Sequence, residues 1–118
     1  MTKNQKSAAH PLIDFHELKV LAIQLYRALQ RKKVHADIII LFGSHARGNA
    51  HKDSDIDLAV VSRDFGKDRI AEGALVNLLV SEINSRAEVV PVGLDAYFDK
   101  ENISPILHEI KKTGICLL

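Results

Sequence analysis

Tryptophan is absent, cysteine occurs once, and neither charge sign dominates; each scarcity narrows what this chain can be. The lone Cys116 excludes an internal disulfide and suits a reducing compartment. A single small thiol near the C-terminus is expected to be a buried apolar residue. Aromatic residues make up 5% of the 118, too few for a platform on which nucleic-acid bases stack. Sixteen basic residues stand against fifteen acidic ones, a net charge of +1, without the basic excess of domains that track a phosphate backbone. Nucleic acid therefore enters the reading only as an acceptor. No apolar run approaches the roughly 20 residues that cross a bilayer. The opening MTKNQKSAAH is polar and is not followed by a signal-peptide core. A soluble, cytoplasmic protein with no membrane partner is the expectation.

What is present is enough apolar residue, 47%, for one ordinary core, and a length that suits one domain. Residues 1–11 read as a flexible leader and residues 12–118 as the domain. Asp14, with Glu17 three positions on, predicts a helix start. Phe15, Leu18, Ala22, Leu25 and Leu29 continue it as an amphipathic stripe that ends in Arg31, Lys32 and Lys33. Ile38 to Phe42 form an apolar run without alternation, as in a strand covered on both faces. SHARGNAHKDS is polar and reads as a turn with one helical turn near Ser44. IDLAVVS is a second strand, with Asp55, Asp57 and Ala59 on one face and Ile56, Leu58 and Val60 on the other. Ile70 to Arg86 read as a long helix with Leu75, Leu78, Leu79 and Ile83 inward. AEVVPVGL is a third strand, which by Pro91 either sits at a sheet edge or ends near that proline. Asp95 to Ser104 read as a loop, Pro105 to Thr113 as a last helix stopped by Gly114, and ICLL as a short terminal strand. The order predicts an α+β fold, a small mixed or antiparallel sheet flanked by helices.

The chemistry is concentrated in LFGSHARGNAHKDSDIDLAVV. Two carboxylates on one strand face, about 5 Å apart, repel by roughly 3 kcal/mol at an effective dielectric near 20. A metal ion relieves that repulsion, and magnesium favours one or two carboxylates together with substrate phosphates. Gly43, at a strand-to-helix junction, lets backbone approach a phosphate, the Ser44 hydroxyl can donate to it, and the Arg47 fork suits it. An anion cradle and a metal cage within one turn of each other fit nucleotidyl transfer. Competing motifs fail. Asp53, Asp55, Asp57 and Asp64 suggest a calcium loop, but Leu58 stands where that loop requires glycine. There is no G-x-x-x-x-G-K-[ST] phosphate loop and no G-x-S-x-G elbow around Ser44. His35, His45 and His51 are not at zinc spacing; the last two read as surface residues of the turn.

Glycine-serine, about ten residues, then Asp-x-Asp resembles the signature of the polymerase β nucleotidyltransferase superfamily. GSHARG and SDIDLAVV are similar to its minimal, single-domain members, which often act as antitoxins beside a helical partner of the HEPN type. The resemblance runs from Ile38 to the C-terminus, LHEIKKTGICL matching the closing helix and strand. It implies a polymerase-β-type fold, two magnesium ions and a nucleoside triphosphate donor, ATP above all. Asp55 and Asp57 are the implied metal ligands, and Gly43, Ser44 and Arg47 the implied phosphate contacts. Glu88 stands where the family has a third metal-binding carboxylate, usually aspartate, which also helps deprotonate the acceptor. The implied activity is transfer of a nucleoside monophosphate, most simply AMP, to a hydroxyl of a protein, RNA or small molecule. A HEPN-type protein or a second copy would complete the site. The competing reading is a non-catalytic antitoxin that neutralises a partner by docking.

Overall fold

The computed structural model describes residues 13–102 and 104–118, so the leader expected at 1–11 lies outside the described residues. The first helix starts where the acids place it. Asp14 caps α1 (Phe15–Arg31): its carboxylate accepts from the Glu17 amide at 2.8 Å, and the Asp14 amide donates to Glu17 at 3.0 Å. This reciprocal capping box satisfies two donors the helix cannot use itself. Leu18, Leu21, Ala22, Leu25, Ala28 and Leu29 form its buried stripe. At the other end the Lys33 amide donates to Gln30 and the Val34 amide to Leu29, with Lys33 at φ 62°. That closes the helix in a Schellman motif, at a position where lysine costs about 1 kcal/mol relative to glycine.

Strands β1 (Ile38–Phe42), β2 (Ile56–Ser62), β3 (Ala87–Gly93) and β4 (Ile115–Cys116) form one sheet in the order β3-β2-β1-β4. β1 runs antiparallel to β2 and β4, while β2 runs parallel to β3, so the sheet is mixed. The antiparallel β1–β2 pair needs only a turn between its strands. The parallel β2–β3 pair needs a crossover, which α3 (Arg69–Ser81) supplies. Pro91 lies on β3, an edge strand, as its missing N–H requires.

Alternation along β1 and β2 splits the core in two. Ile39, Leu41, Ile56, Leu58 and Val60 meet α1 and α3 on one face. Ile40, Phe42, Ala59 and Val61 meet Leu107 and Ile110 of α5 (Pro105–Thr113) on the other, with Leu94 and Tyr97 of α4 (Leu94–Phe98) beside them. Both central strands are covered twice, which is why IIILF carries no polar alternation. The α5 boundaries follow local chemistry. Ser104 caps the Leu107 amide, Pro105 occupies the first turn, and Gly114 ends the helix, where a Cβ would strike the Ile110 carbonyl and Ile40.

Three expectations are corrected. α3 ends at Ser81 rather than Arg86, and Leu78 faces solvent at 62% exposure while Val76, Leu79 and Val80 are buried. ALVNLLV is too uniformly apolar for periodicity to choose the inward face. Residues 82–86 turn instead, Asn84 accepting from the Arg86 amide at 2.9 Å. The stretch from Asp95 to Ser104 is not all loop, because it contains most of α4, a five-residue helix with no side-chain cap to announce it. Cys116 is exposed, not buried. β4 is a two-residue edge strand whose residues are both open, and Leu117 turns into the core in its place.

Asn77 could not be read as structural from sequence. Its side-chain amide donates to the Val89 carbonyl at 2.9 Å and accepts from the Val89 amide at 2.9 Å. It thereby occupies backbone groups on the free edge of β3 and ties α3 to the sheet.

Candidate functional site

The site forms where β1 runs out. Phe42, its last residue, pairs across the ladder with Asp57, and Asp57 pairs on its other side with Glu88 of β3. Ala59 and Val61 fill the second core on the α5 face; Asp57, two residues earlier, points the same way but emerges beyond the packed layer. Glycine 43 then turns the chain into α2 (Ser44–Arg47). It is required there twice over. Its φ is 77°, and a Cβ would collide with the Asp57 carboxylate. Gly48 closes the same short helix at φ 81°, with nothing within 4 Å of where its Cβ would be. One glycine thus serves backbone conformation alone, while the other also serves close approach to an acid.

Beside that contact lies a cleft of about 730 Å³. Gly43, Ser44 and Arg47 line it from the loop, Asp57 and Glu88 from the sheet, and Pro105, Ile106 and Glu109 from α5. Five of the six predicted site residues therefore meet in one place. The sixth, Asp55, is exposed, precedes β2 by one residue and does not line the cleft. It is still near enough to act on Asp57. Burial pushes the Asp57 carboxyl above its ordinary 3.8, and the charges of Glu88 and Asp55 push it further, against the opposing pull of His45 and Arg47. The ion pairs of the described residues are His35–Asp64, Arg47–Glu109 and Arg63–Asp37, so none of the three predicted metal ligands has one.

Among the described residues no three His, Cys, Asp or Glu side chains form a ready metal cage. The donors at the cleft are nonetheless all oxygen, negatively charged and crowded, which suits a hard divalent cation that takes its remaining ligands from phosphate and water. At the cleft Asp57 and Glu88 are the carboxylates that could offer such a partial shell, with Asp55 outside its lining.

Sequence reasoning missed two contributors. Arg86 donates to the Ser54 carbonyl at 2.7 Å, and His45 Nε2 lies 3.4 Å from the same oxygen. Together they fix the approach to Asp55. His51 is occupied within its own turn, its amide donating to the Ser54 hydroxyl at 2.9 Å. Glu109 is the other omission: it accepts from Arg47 Nη1 at 2.6 Å across the cleft, 62 residues away in sequence, where no local pattern could signal it. A second cavity of about 390 Å³, lined by Tyr26, Lys33, Asp37 and Arg63 among others, lies at the opposite end of β1 and β2 and contains none of the predicted site residues. No described helix is long and apolar enough to cross a membrane.

The family model described as polymerase beta, nucleotidyltransferase, matches residues 24–118. The protein adenylyltransferase MntA of Shewanella oneidensis is 42% identical over 53 residues, covering 45% of this chain and 37% of that protein. A putative protein adenylyltransferase of Methanocaldococcus jannaschii is 39% identical over 71 residues, covering 60% of this chain and 40% of that protein. The match thus spans less than half the length of either curated relative. A crystal structure of a toxin–antitoxin with AMP-PNP superposes with a TM-score of 0.57 at 26% identity, covering 85% of this chain and 72% of that one. One of the MntA–HepT toxin–antitoxin gives 0.51 at 22% identity, covering 85% and 71%, which supports the fold.

Proposed function

The chain belongs to the polymerase β nucleotidyltransferase family, and from that premise we propose that it transfers AMP from ATP to a hydroxyl acceptor in a magnesium-dependent reaction. The observation that carries the proposal is the Asp57 carboxylate packed against Gly43 of the turn, with Glu88 in register beside it and an open cleft alongside. A carboxylate raised by burial and two like charges, with no ion-pair partner, is placed where a cation and phosphates would relieve it.

In this reading the Gly43 turn and the Ser44 hydroxyl hold the triphosphate, and Arg47 contributes a guanidinium to the same oxygens. Asp55, Asp57 and Glu88 are the residues that would hold two magnesium ions. Magnesium bound there would supply positive charge for the acceptor oxygen and for the leaving pyrophosphate. Glu88, one methylene longer than the aspartate usual in the family, would reach its ligand position from an exposed place on the edge strand. In the same reading Glu88 would also help deprotonate the acceptor hydroxyl, the role the family gives to this position.

A protein hydroxyl is the acceptor we favour, because both curated relatives are named as protein adenylyltransferases. The partner we propose is a HEPN-type toxin, with this chain as antitoxin, because the structural neighbours are toxin–antitoxin assemblies. A second copy of this chain is the other candidate to complete the acceptor side. One observation favours docking without catalysis: Glu88 stands where the family usually has aspartate. Label from α-labelled ATP, with and without Mg²⁺, tests both readings on wild type and the Asp55→Ala/Asp57→Ala double variant with the partner present. Catalysis predicts Mg²⁺-dependent label that the double variant loses. Full neutralisation of the partner by an unlabelled complex would support docking, and label undiminished in the double variant would overturn the catalytic assignment.

A further inference from the structure

Glu109 is a carboxylate at the rim of a cleft that already holds Asp57 and Glu88 and is read as a phosphate site. Another negative charge there opposes phosphate binding unless it acts through a cation. Its Oε2 accepts from Arg47 Nη1 at 2.6 Å, joining α2 on one wall to α5 on the other. The two side chains are 42% and 38% exposed. An ion pair this open to water adds little to fold stability, so stability does not account for it.

We propose that Glu109 is a positioning residue that holds the Arg47 guanidinium over the phosphate-binding wall of the cleft. The inference rests on the triphosphate reading of the site. An untethered arginine samples many rotamers, and fixing it when ligand arrives lowers affinity. Glu109 fixes it beforehand with one N–H, leaving the other guanidinium donors for phosphate oxygens. The anchor is itself rigid. Leu107 and Ile110 bury α5 in the second core, and the Thr113 hydroxyl donates to the Glu109 carbonyl at 2.9 Å. Position 109 is thus set by the sheet and not by a loop.

The test is calorimetric titration of the full chain with inorganic tripolyphosphate in Mg²⁺, for wild type, Glu109→Ala, Glu109→Gln, Arg47→Ala and the Arg47→Ala/Glu109→Ala double variant. Glu109→Ala weakens binding about fivefold, the scale expected for one side chain no longer preordered. Glu109→Gln, which keeps an acceptor of the same shape, recovers part of the loss and also reports should the alanine variant unfold. On the Arg47→Ala background, removal of Glu109 has no further effect. Tighter binding by Glu109→Ala would make Glu109 a competitor for Arg47 and overturn the proposal. So would unchanged binding, or an equal loss with and without Arg47. If wild type binds no tripolyphosphate in Mg²⁺, the triphosphate reading itself falls, and this inference with it.

Discussion

Asp37 and Asp57 stand at opposite ends of the β1–β2 ladder and meet opposite surroundings. Asp37, just before β1, accepts from the Arg63 side chain at 2.6 Å and from the Arg63 amide at 2.8 Å. The Arg63 guanidinium holds its carboxyl below the ordinary 3.8. Asp57, opposite Phe42, has no such partner and is pushed above the same value by burial, Glu88 and Asp55. The same side chain therefore does two jobs. The paired acid at one end closes the strand pair and contributes to folding. The unpaired acid at the other end opposes folding slightly and stays available for a ligand, as functional carboxylates tend to be.

The largest effect expected is on activity. Asp57→Asn should lower nucleotide transfer by on the order of 10³-fold or more, the scale seen when a group that stabilises transition-state charge is lost. Asp37→Asn should leave transfer near wild type in the folded fraction. Equal losses in the two variants, measured by label incorporation, would erase the distinction between the ends.

Next in size is Gly43→Ala. A methyl there must displace the Asp57 carboxylate as well as adopt φ 77°, so both stability and nucleotide binding should fall, stability by about 2 kcal/mol or more. Gly48→Ala meets only the backbone penalty, about 1 kcal/mol, and should keep binding. Urea unfolding with a nucleotide titration of each variant separates the two. Similar binding losses would mean that the glycine-to-acid contact is not special.

The pH dependence should carry opposite signs at the two ends. A carboxyl lowered on folding contributes stability above its ordinary value and loses it as pH falls through the depressed one. Asp37→Asn should therefore lower the melting temperature at neutral pH, and the deficit should begin to shrink near 3.8 and vanish only below the depressed value. Asp57 is raised, so its ionisation penalises the folded state above the raised value, and the penalty fades as pH falls toward 3.8. Asp57→Asn should raise the melting temperature of the metal-free protein at neutral pH, with the gain shrinking in acid. A melting series from pH 3 to 8 without Mg²⁺ reads both signs. Asp64 and Glu72 follow Asp37. The His35 amide and ring lower Asp64; burial raises Glu72, but the Asp68, Gly66 and Lys67 amides outweigh it.

The smallest effect lies at the far end. Lys33→Gly should stabilise the fold by about 1 kcal/mol, because Lys33 occupies the left-handed position of the α1 cap. No change in a urea titration would mean that the lysine is held there by contacts that offset its backbone cost.

The ladder itself was legible in the sequence because local patterns determine it. An unalternating IIILF marks a doubly covered strand, and the two-residue period of IDLAVVS places Asp57 with Ala59 on one face. The capping pair Asp14 and Glu17, the edge proline Pro91, and Pro105 and Gly114 at the ends of α5 are equally local signals. What escaped depends on contacts far apart in the chain or on short elements. Asn77 bonding to Val89, Arg86 to Ser54 and Glu109 to Arg47 leave no periodic trace. The inward face of the helix over Arg69–Ser81 is not legible because leucine and valine fill its inward and outward faces alike. Asp55 illustrates the limit within the motif. Its spacing from Asp57 predicts a shared face, but it precedes the ladder, so the strand does not hold it in the cleft.

We propose that Asp57 and its neighbours are poised for a cation bound together with a triphosphate. Thermal unfolding of wild type and Asp57→Asn with ATP, GTP, CTP or UTP, with and without Mg²⁺, tests it most directly. Wild type should be stabilised by about 2.7 kcal/mol at a ligand concentration a hundredfold its dissociation constant. That gain should require Mg²⁺ and disappear in Asp57→Asn. Stabilisation of equal size in the variant, or none in wild type with any of the four nucleotides, would contradict the account.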